Sequence, residues 1–299
     1  MHRDIKFSVI IPTFNRVEFI LLAIRSVLLQ SYKNLELIIV DDGSTDETES
    51  VVATIKDNRI IFIRIDNSER GRARNMGVQI ATGDYVTFLD SDDQLYDDYL
   101  EEALKGLQKY NYIPFYHQAY EIRSYIKFSD RLIHNYHNRD VKFLVKGNPL
   151  SCLGVFIRRA EALQFPFNED RELSGSEDWE LWLRLIANFG LRRGKKICAC
   201  LILHDNRSVY QIEEKRLVKR KQLAVDCAFK DSAVVKMYGK YRKEILAHSD
   251  TYNSLHLALA GKKKRSLYYL FRAFQRYPLC VINRRTLAIF KYYLIYLFK

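Results

Sequence analysis

Several things are scarce in this sequence, and each scarcity excludes something. Met1-His2-Arg3-Asp4-Ile5-Lys6 carries no long apolar run before Pro12, so no secretory leader is expected there. The five cysteines, Cys152, Cys198, Cys200, Cys227 and Cys280, are odd in number and lack the spacing of a disulfide framework or a zinc site. Cys198 and Cys200 would share one face of a strand as packed thiols, and a reducing, cytoplasmic compartment is expected. No G-x-G-x-x-G follows the first apolar run, which disfavours a dinucleotide-dependent dehydrogenase. A glycine-rich, lysine-containing nucleotide loop is also missing there, which disfavours a nucleotidyltransferase. There is no internal repeat of about 20–50 residues and no low-complexity linker. The apolar end, Thr286 to Phe298, is too short and is interrupted by Lys291, so it is not expected to span a bilayer.

What is present is ordinary globular composition: 299 residues, 48% hydrophobic and 28% charged. Aromatic residues reach 13%, with 20 tyrosines, which suits either core packing or sugar stacking. The formal net charge of +12 is unevenly spread. From Gln211 to Lys299 there are 20 Lys and Arg against 6 Asp and Glu, so the basicity belongs to the C-terminal third. Such asymmetry points to an anionic partner surface, either membrane or nucleic acid.

The first hundred residues alternate in period. Phe7 to Ile11 reads as a buried strand stopped by Pro12, and Val17 to Gln30 as an amphipathic helix. Leu35 to Val40 is a second strand, Glu47 to Lys56 a helix that Ser44 to Asp46 can cap, and Ile60 to Ile65 a third strand. A helix over Gly71 to Ala81 and a turn at Gly83-Asp84 lead into a strand from Tyr85 to Leu89. This alternation predicts a parallel-rich α/β sheet with helices on both faces. Ligands of such sheets bind at the carboxyl ends of the strands. The polar loops after the first, second and fourth strands all fall at that edge.

Further on, Asp97 to Lys109 reads as a helix, while Tyr110 to Lys146 has no clear period and reads as an irregular sheet region or acceptor-side insertion. Gly154 to Arg159 suits an edge strand, Ser176 to Asn188 a tryptophan-bearing helix, and Ile197 to Leu203 a strand closing at His204. Gln211 to Ala260 is expected to be largely helical, with another helix from Lys262 to Tyr277 broken by Pro278. A division follows into a catalytic domain over residues 1–210 and a basic helical region over 211–299.

The chemistry concentrates where Tyr85-Val86-Thr87-Phe88-Leu89 runs into Asp90-Ser91-Asp92-Asp93. Three carboxylates after a buried strand need neutralising, because desolvating unpaired charge is expensive. They form either an exposed acidic turn or a site for Mg²⁺ or Mn²⁺ with hard oxygen ligands. Asp41-Asp42-Gly43 serves as a strand-ending turn, with Asp42 able to accept a base N–H. Glu177-Asp178 stands at a helix start, where acids favour the macrodipole.

Four segments in this order resemble the family-two glycosyltransferases: Ser8-Val9-Ile10-Ile11-Pro12-Thr13-Phe14-Asn15-Arg16, Glu36-Leu37-Ile38-Ile39-Val40-Asp41-Asp42-Gly43-Ser44-Thr45-Asp46, Ala73-Arg74-Asn75-Met76-Gly77 and Phe88-Leu89-Asp90-Ser91-Asp92-Asp93. The likeness covers about residues 7–100 closely and continues more weakly through Glu177-Asp178-Trp179 and His204. It implies a GT-A type fold and an inverting, metal-dependent transfer from a nucleoside-diphosphate-sugar, a UDP-sugar above all, to an acceptor hydroxyl. It implies that Pro12, Thr13, Phe14, Asn15, Arg16 and Asp42 hold the nucleotide, with Asp90 and Ser91 at the ribose and Asp92, with Asp93 adjacent, at the metal. Arg74 would pair with Asp42 or with the diphosphate, unless it is a surface arginine. Asp178 is implied as the general base, with Glu177 the alternative. His204 would approach the diphosphate or the metal, or else be structural. Trp179 or Trp182 could stack on sugar or belong to the core.

The implied acceptor is a glycan or lipid-linked molecule of surface polysaccharide synthesis. The tail, with Lys262-Lys263-Lys264-Arg265, Tyr268, Tyr269, Phe271, Phe274 and Arg284-Arg285, suits an anionic membrane surface at the cytoplasmic face or a solvated helical bundle. No nucleic-acid motif accompanies it. A catalytically inactive sugar-binding module is the alternative from another class.

Overall fold

The computed structural model describes residues 4–124, 132–133, 141–204 and 214–295. In chain order its elements are β1 (Phe7–Thr13), α1 (Ile20–Leu28), β2 (Leu35–Asp41), α2 (Thr48–Ala53), β3 (Ile60–Arg64), α3 (Arg70–Ile80), β4 (Tyr85–Phe88), β5 (Gln94–Leu95) and α4 (Tyr99–Lys109). They continue with β6 (Phe115–Ser124), β7 (Leu132–Ile133), β8 (Val155–Arg158), α5 (Arg159–Gln164), α6 (Glu177–Phe189) and β9 (Arg192–Leu203). The chain then becomes helical: α7 (Glu214–Ala228), α8 (Ser232–Tyr238), α9 (Arg242–Leu259), α10 (Lys263–Arg276) and α11 (Arg284–Ile295).

The strands form one mixed sheet in the order β3-β2-β1-β4-β8-β6-β9-β5, with β7 beside β6. The first four are mutually parallel, Phe7 of β1 lying opposite Leu35 of β2 and Tyr85 of β4. β8 runs antiparallel to both β4 and β6 and so sits inside the sheet, which corrects the expectation of an edge strand at 154–159. Its residues Val155, Phe156 and Ile157 are buried, as an interior position requires.

Strand alternation sends successive side chains to opposite faces. From β1, Phe7, Val9 and Ile11 join α1, α2 and α4 through Ile20, Ile24, Val52, Tyr99 and Leu107. Ile10, by contrast, joins α3 and α6 on the other face, with Val78, Trp182 and Ile186. Full burial of each such aliphatic or aromatic side chain contributes roughly 1.5–3 kcal/mol. α7 and α8 enter this second core through Ala224, Val225, Ala228 and Val234. α9 reaches it through Ile245 and Leu246, and also packs Ala247 against Ala273 of α10. Thus α7, α8 and α9 share their core with the sheet, while α10 packs on α9. The stretch 211–260, expected to be largely helical, holds three helices, α7 to α9; its first residues lie outside the described ones.

One buried carboxylate ties the parallel strands together. Glu36 of β2 accepts hydrogen bonds from Ser8 Oγ at 2.6 Å, Lys6 Nζ at 2.7 Å and the Thr82 N–H at 2.6 Å. Burial alone would raise its pKa, but these donors outweigh that and hold it at about 2.

Candidate active site

The carboxyl ends of β1 and β2 are joined by side chains carried in the two loops. Asn15, in the left-handed region with φ 51°, donates its N–H to Ser44 Oγ at 2.9 Å and accepts from the Thr45 N–H at 2.8 Å. The Arg16 N–H donates to Thr48 Oγ1 at 3.0 Å, and the Val17 N–H to Asp46 at 3.2 Å. Asp46 also accepts from the Thr48 N–H at 3.0 Å, serving the start of α2. Ser44 instead bonds Asp41. Gly43 has φ 77°, and a Cβ there would come within 3.0 Å of the Asn67 N, so the turn needs glycine. Pro12 and Thr13 are buried at the strand end, Phe14 is exposed, and the Thr13 hydroxyl has no hydrogen-bond partner among the described residues.

Asp42 is buried, and its carboxylate accepts from the Ser68 N–H at 2.7 Å and the Glu69 N–H at 2.9 Å. Glu69 holds a strained conformation at φ 82°, ψ 156°, where non-glycine residues are rare. Its own carboxylate accepts from Ser174 Oγ and Arg216 Nη2, each at 2.8 Å, so the strain is fixed from both ends.

The expected pairing of Arg74 with Asp42 is not made. Arg74 is 2% exposed and reaches across the edge, with Nη2 2.8 Å from Asp90 and Nη1 3.0 Å from Glu177. Its guanidinium also lies 5.3 Å from the Phe167 ring centroid. With two carboxylate partners and an aromatic neighbour, the charge is compensated where a surface arginine would be hydrated.

Asp90, Asp92 and Asp93 each offer an oxygen, and these oxygens lie within 4.8 Å of one another. Each carboxylate is anchored by a different donor. Arg74 holds Asp90; His204 Nε2 lies 3.0 Å from Asp92; the Ile202 N–H donates to Asp93 at 2.9 Å. Arg16 Nε stands 4.0 Å from Asp92. The His204 ring stacks on Phe19 at 4.5 Å, and its Nδ1 has no hydrogen-bond partner among the described residues. Ser91 is buried between these acids. Three convergent carboxylates with fixed orientations are the hard-oxygen set that a Mg²⁺ or Mn²⁺ ion takes, so the residues fit such an ion.

Asp178 stands in the first turn of α6. Asn148 Nδ2 donates to its Oδ2 at 2.7 Å, and the Trp179 N–H to its Oδ1 at 2.7 Å. Burial, then the Glu177 charge, pushes the Asp178 pKa up to about 6, with Lys221 and Arg74 acting the other way. Lys221 is itself pushed down to about 7 by burial and by Arg220. It sits 4.8 Å from the Trp179 ring centroid and 5.0 Å from that of Tyr252. Arg220 reaches the Tyr252 hydroxyl at 3.2 Å.

The structure therefore gathers Asp90, Asp92, Asp93, His204, Arg16 and Arg74 at one edge and links them to Glu177, the neighbour of Asp178. Trp179 and Trp182 are core residues whose N–H groups donate to the Leu144 and Leu150 carbonyls. Sequence reasoning missed Asn148, Glu69, Arg220 and Lys221. Asn148 follows the aperiodic stretch, and the two cations looked like wet helix positions; nothing local marks them. The segment Asp205-Asn206-Arg207-Ser208 lies outside the described residues.

A parallel sheet edge with an acidic cluster and a helix-borne carboxylate beside it is the arrangement of a GT-A type fold. The comparisons agree. Residues 8–164 match Glycosyl transferase family 2, and the chain belongs to that family. Over 118 residues it is 46% identical to an uncharacterized glycosyltransferase of Rickettsia conorii, a match covering 39% of this chain and 19% of that one. The match thus spans about a fifth of the length of that relative. Over 187 residues it is 32% identical to the Escherichia coli UDP-Glc:alpha-D-GlcNAc-diphosphoundecaprenol beta-1,3-glucosyltransferase WfaP, covering 60% of this chain and 70% of that one. In fold it resembles S. aureus TarS 1-349 in complex with UDP-GlcNAc, with TM-score 0.64, 16% identity and 91% of each chain covered. It also resembles the mannosyltransferase PcManGT from Pyrobaculum calidifontis in complex with GDP-Man and Mn2+, with TM-score 0.62, 18% identity, and 98% and 86% covered.

Proposed function

We propose that this enzyme transfers a sugar, with inversion, from a UDP-sugar to a hydroxyl of a lipid-linked acceptor. The observation that carries this reading is the buried Arg74 guanidinium joining Asp90 to Glu177. It couples the acidic edge to the helix start that bears Asp178.

Pro12 to Arg16 and Asp42 form the wall for the nucleoside, with the Thr13 hydroxyl a group left to satisfy. Asp90 and Ser91 face the ribose. Asp92 and Asp93, with His204 beside them, would hold the divalent cation, which when bound would stabilise negative charge on the departing diphosphate. Asp178 takes the acceptor hydroxyl proton as that oxygen forms its bond to the anomeric carbon. The bond from that carbon to the diphosphate oxygen breaks, and its electron pair leaves with the nucleoside diphosphate. One such base is enough for a single displacement, hence inversion, whereas a double displacement would need a second, nucleophilic carboxylate. A pKa near the working pH suits a general base, since the group is then ionised yet still basic. Asn148 and the Trp179 N–H fix the carboxylate's orientation.

The lipid-linked acceptor is supported by the named activity of the E. coli relative and by the exposed aromatic and basic C-terminal helices. Among the described residues no helix is long and apolar enough to cross a membrane. A peripheral place at the cytoplasmic face, with residues 211–299 toward the lipid, fits this reading.

Calorimetric titration with UDP, GDP and their sugars, with Mn²⁺ and with chelator, tests the donor site. UDP should bind with the metal and at least tenfold more weakly without it, and Asp92→Ala should remove that difference. Binding of no nucleotide under either condition would sink the reading.

A further inference from the structure

Next to Asp178, and outside the donor edge, lies a cavity of about 780 Å³. Its walls include Lys142, Lys146, Arg285, Glu244, Tyr241 and Tyr277. That volume is within the usual range of small-ligand pockets, roughly 300–1,000 Å³. Three cations face one acid, so the lining is net positive. Lys142 Nζ lies 5.7 Å from the Tyr241 ring centroid, and Glu244 lies 3.8 Å from His248 Nε2. Burial, followed by the Arg285 and Lys146 charges, pushes the His248 pKa down to about 4.

Arg285 is brought in by a specific backbone feature. Gly147, at φ 133°, lets the guanidinium approach; a Cβ there would stand 2.9 Å from Arg285 Nη2. Arg285 also donates to the His248 carbonyl at 3.3 Å, which fixes its planar fork. Such a fork matches phosphate oxygens in pairs. The cavity is connected to the chemistry by Asn148, which lines it and donates to Asp178.

Outside the lining itself, the chain around Tyr277 and Arg285 carries exposed apolar residues. Between Tyr277 and Arg285 in the chain stand Leu279, 63% exposed, and Ile282, 79% exposed, and one turn beyond them Leu287 is 70% exposed. A polar sugar acceptor needs no such residues beside its phosphate site. A hydrocarbon chain does.

We propose that this cavity is the acceptor's phosphate site: Lys142, Lys146 and Arg285 receive the diphosphate of a lipid-linked acceptor, and Leu279, Ile282 and Leu287 receive its hydrocarbon chain. The assignment rests on the reading of Asp178 as the base, since it puts the acceptor's anionic end beside that residue.

The test uses the full chain with farnesyl diphosphate and inorganic diphosphate as probes, titrated in chelator so that the metal-dependent nucleotide site does not compete. Farnesyl diphosphate should bind at least tenfold more tightly than inorganic diphosphate. The double variant Lys142→Glu/Lys146→Glu, both at exposed positions, should lose at least tenfold in farnesyl diphosphate affinity while binding UDP with Mn²⁺ as the parent does. Leu279→Ser/Ile282→Ser should weaken farnesyl but not inorganic diphosphate. Equal affinity for the two probes would overturn the lipid assignment. Unaltered farnesyl diphosphate binding by the lysine variant, or none by the parent, would overturn the site itself. Failure of the donor reading shows separately, as lost UDP binding in the parent with the cavity titration unaffected.

Discussion

The two sides of this active site are built in different ways. The donor edge is made of short contiguous segments whose side chains bond to one another: Asn15 to Ser44 and Thr45, Asp46 to Val17 and Thr48. The proposed acceptor side is assembled from distant pieces: Asn148, Asp178, Lys221 on α7 and Arg285 on α11. In the first region the positions are over-determined by neighbouring loops on parallel strands. In the second they depend on how helices pack against the sheet. Arg74 is the residue common to both, bonded across 16 residues to Asp90 and across 103 to Glu177.

The largest effect should therefore come from cutting that link. Arg74→Met leaves buried Glu177 the Arg70 charge but not its hydrogen-bonded cation, and stability should fall by roughly 3–5 kcal/mol, read by urea unfolding. UDP binding should weaken in the same variant. A loss below about 1 kcal/mol would mean that the two regions stand independently.

The donor edge can be probed alone at Asn15. Asn15→Ala removes the acceptor for the Thr45 N–H and forces alanine to a positive φ, a loss of roughly 1–2 kcal/mol. Asn15→Gly keeps the backbone conformation and should recover about half of it. Equal losses in the two variants would show that the side-chain bond alone matters.

The smallest effect on stability, and the sharpest on the acceptor side, is expected at Lys221. Its charge favours ionised Asp178, so Lys221→Met should raise the Asp178 pKa. Asp178 acts only when deprotonated; activity is present above its pKa and lost as pH falls through it. The acid limb of the rate profile should thus begin near pH 6 in the parent and move to higher pH in Lys221→Met. An unmoved limb would separate Lys221 from the base.

The same contrast explains what could be read from the chain. β1 to β4 and their loops were legible because apolar runs end in polar segments that fold locally. β6 was not, because buried His117, Gln118 and Glu121 interrupt its pattern. Gln118 and Glu121 find partners close by: Tyr116 Oη, two residues along the same strand, donates to Gln118 Oε1 at 2.7 Å, and Tyr96 and Arg123 serve Glu121. β9 likewise begins earlier than its apolar run, at Arg192, since Lys195 and Lys196 lie at exposed positions of the strand. Glu177 looked like a favourable helix-terminal acid. Its role as the partner of Arg74 lay in packing that no local pattern carries.

The central claim is that Asp178 deprotonates the acceptor while the acidic edge holds the donor. Its most direct test measures nucleotide release from the UDP-sugar that binds, against pH, for the parent and Asp178→Asn, with UDP affinity determined on the same samples. The account predicts an acid limb near pH 6 in the parent, a rate lowered roughly 10²–10⁴-fold in Asp178→Asn, and unchanged UDP binding. Full turnover by Asp178→Asn with the same acid limb would contradict it.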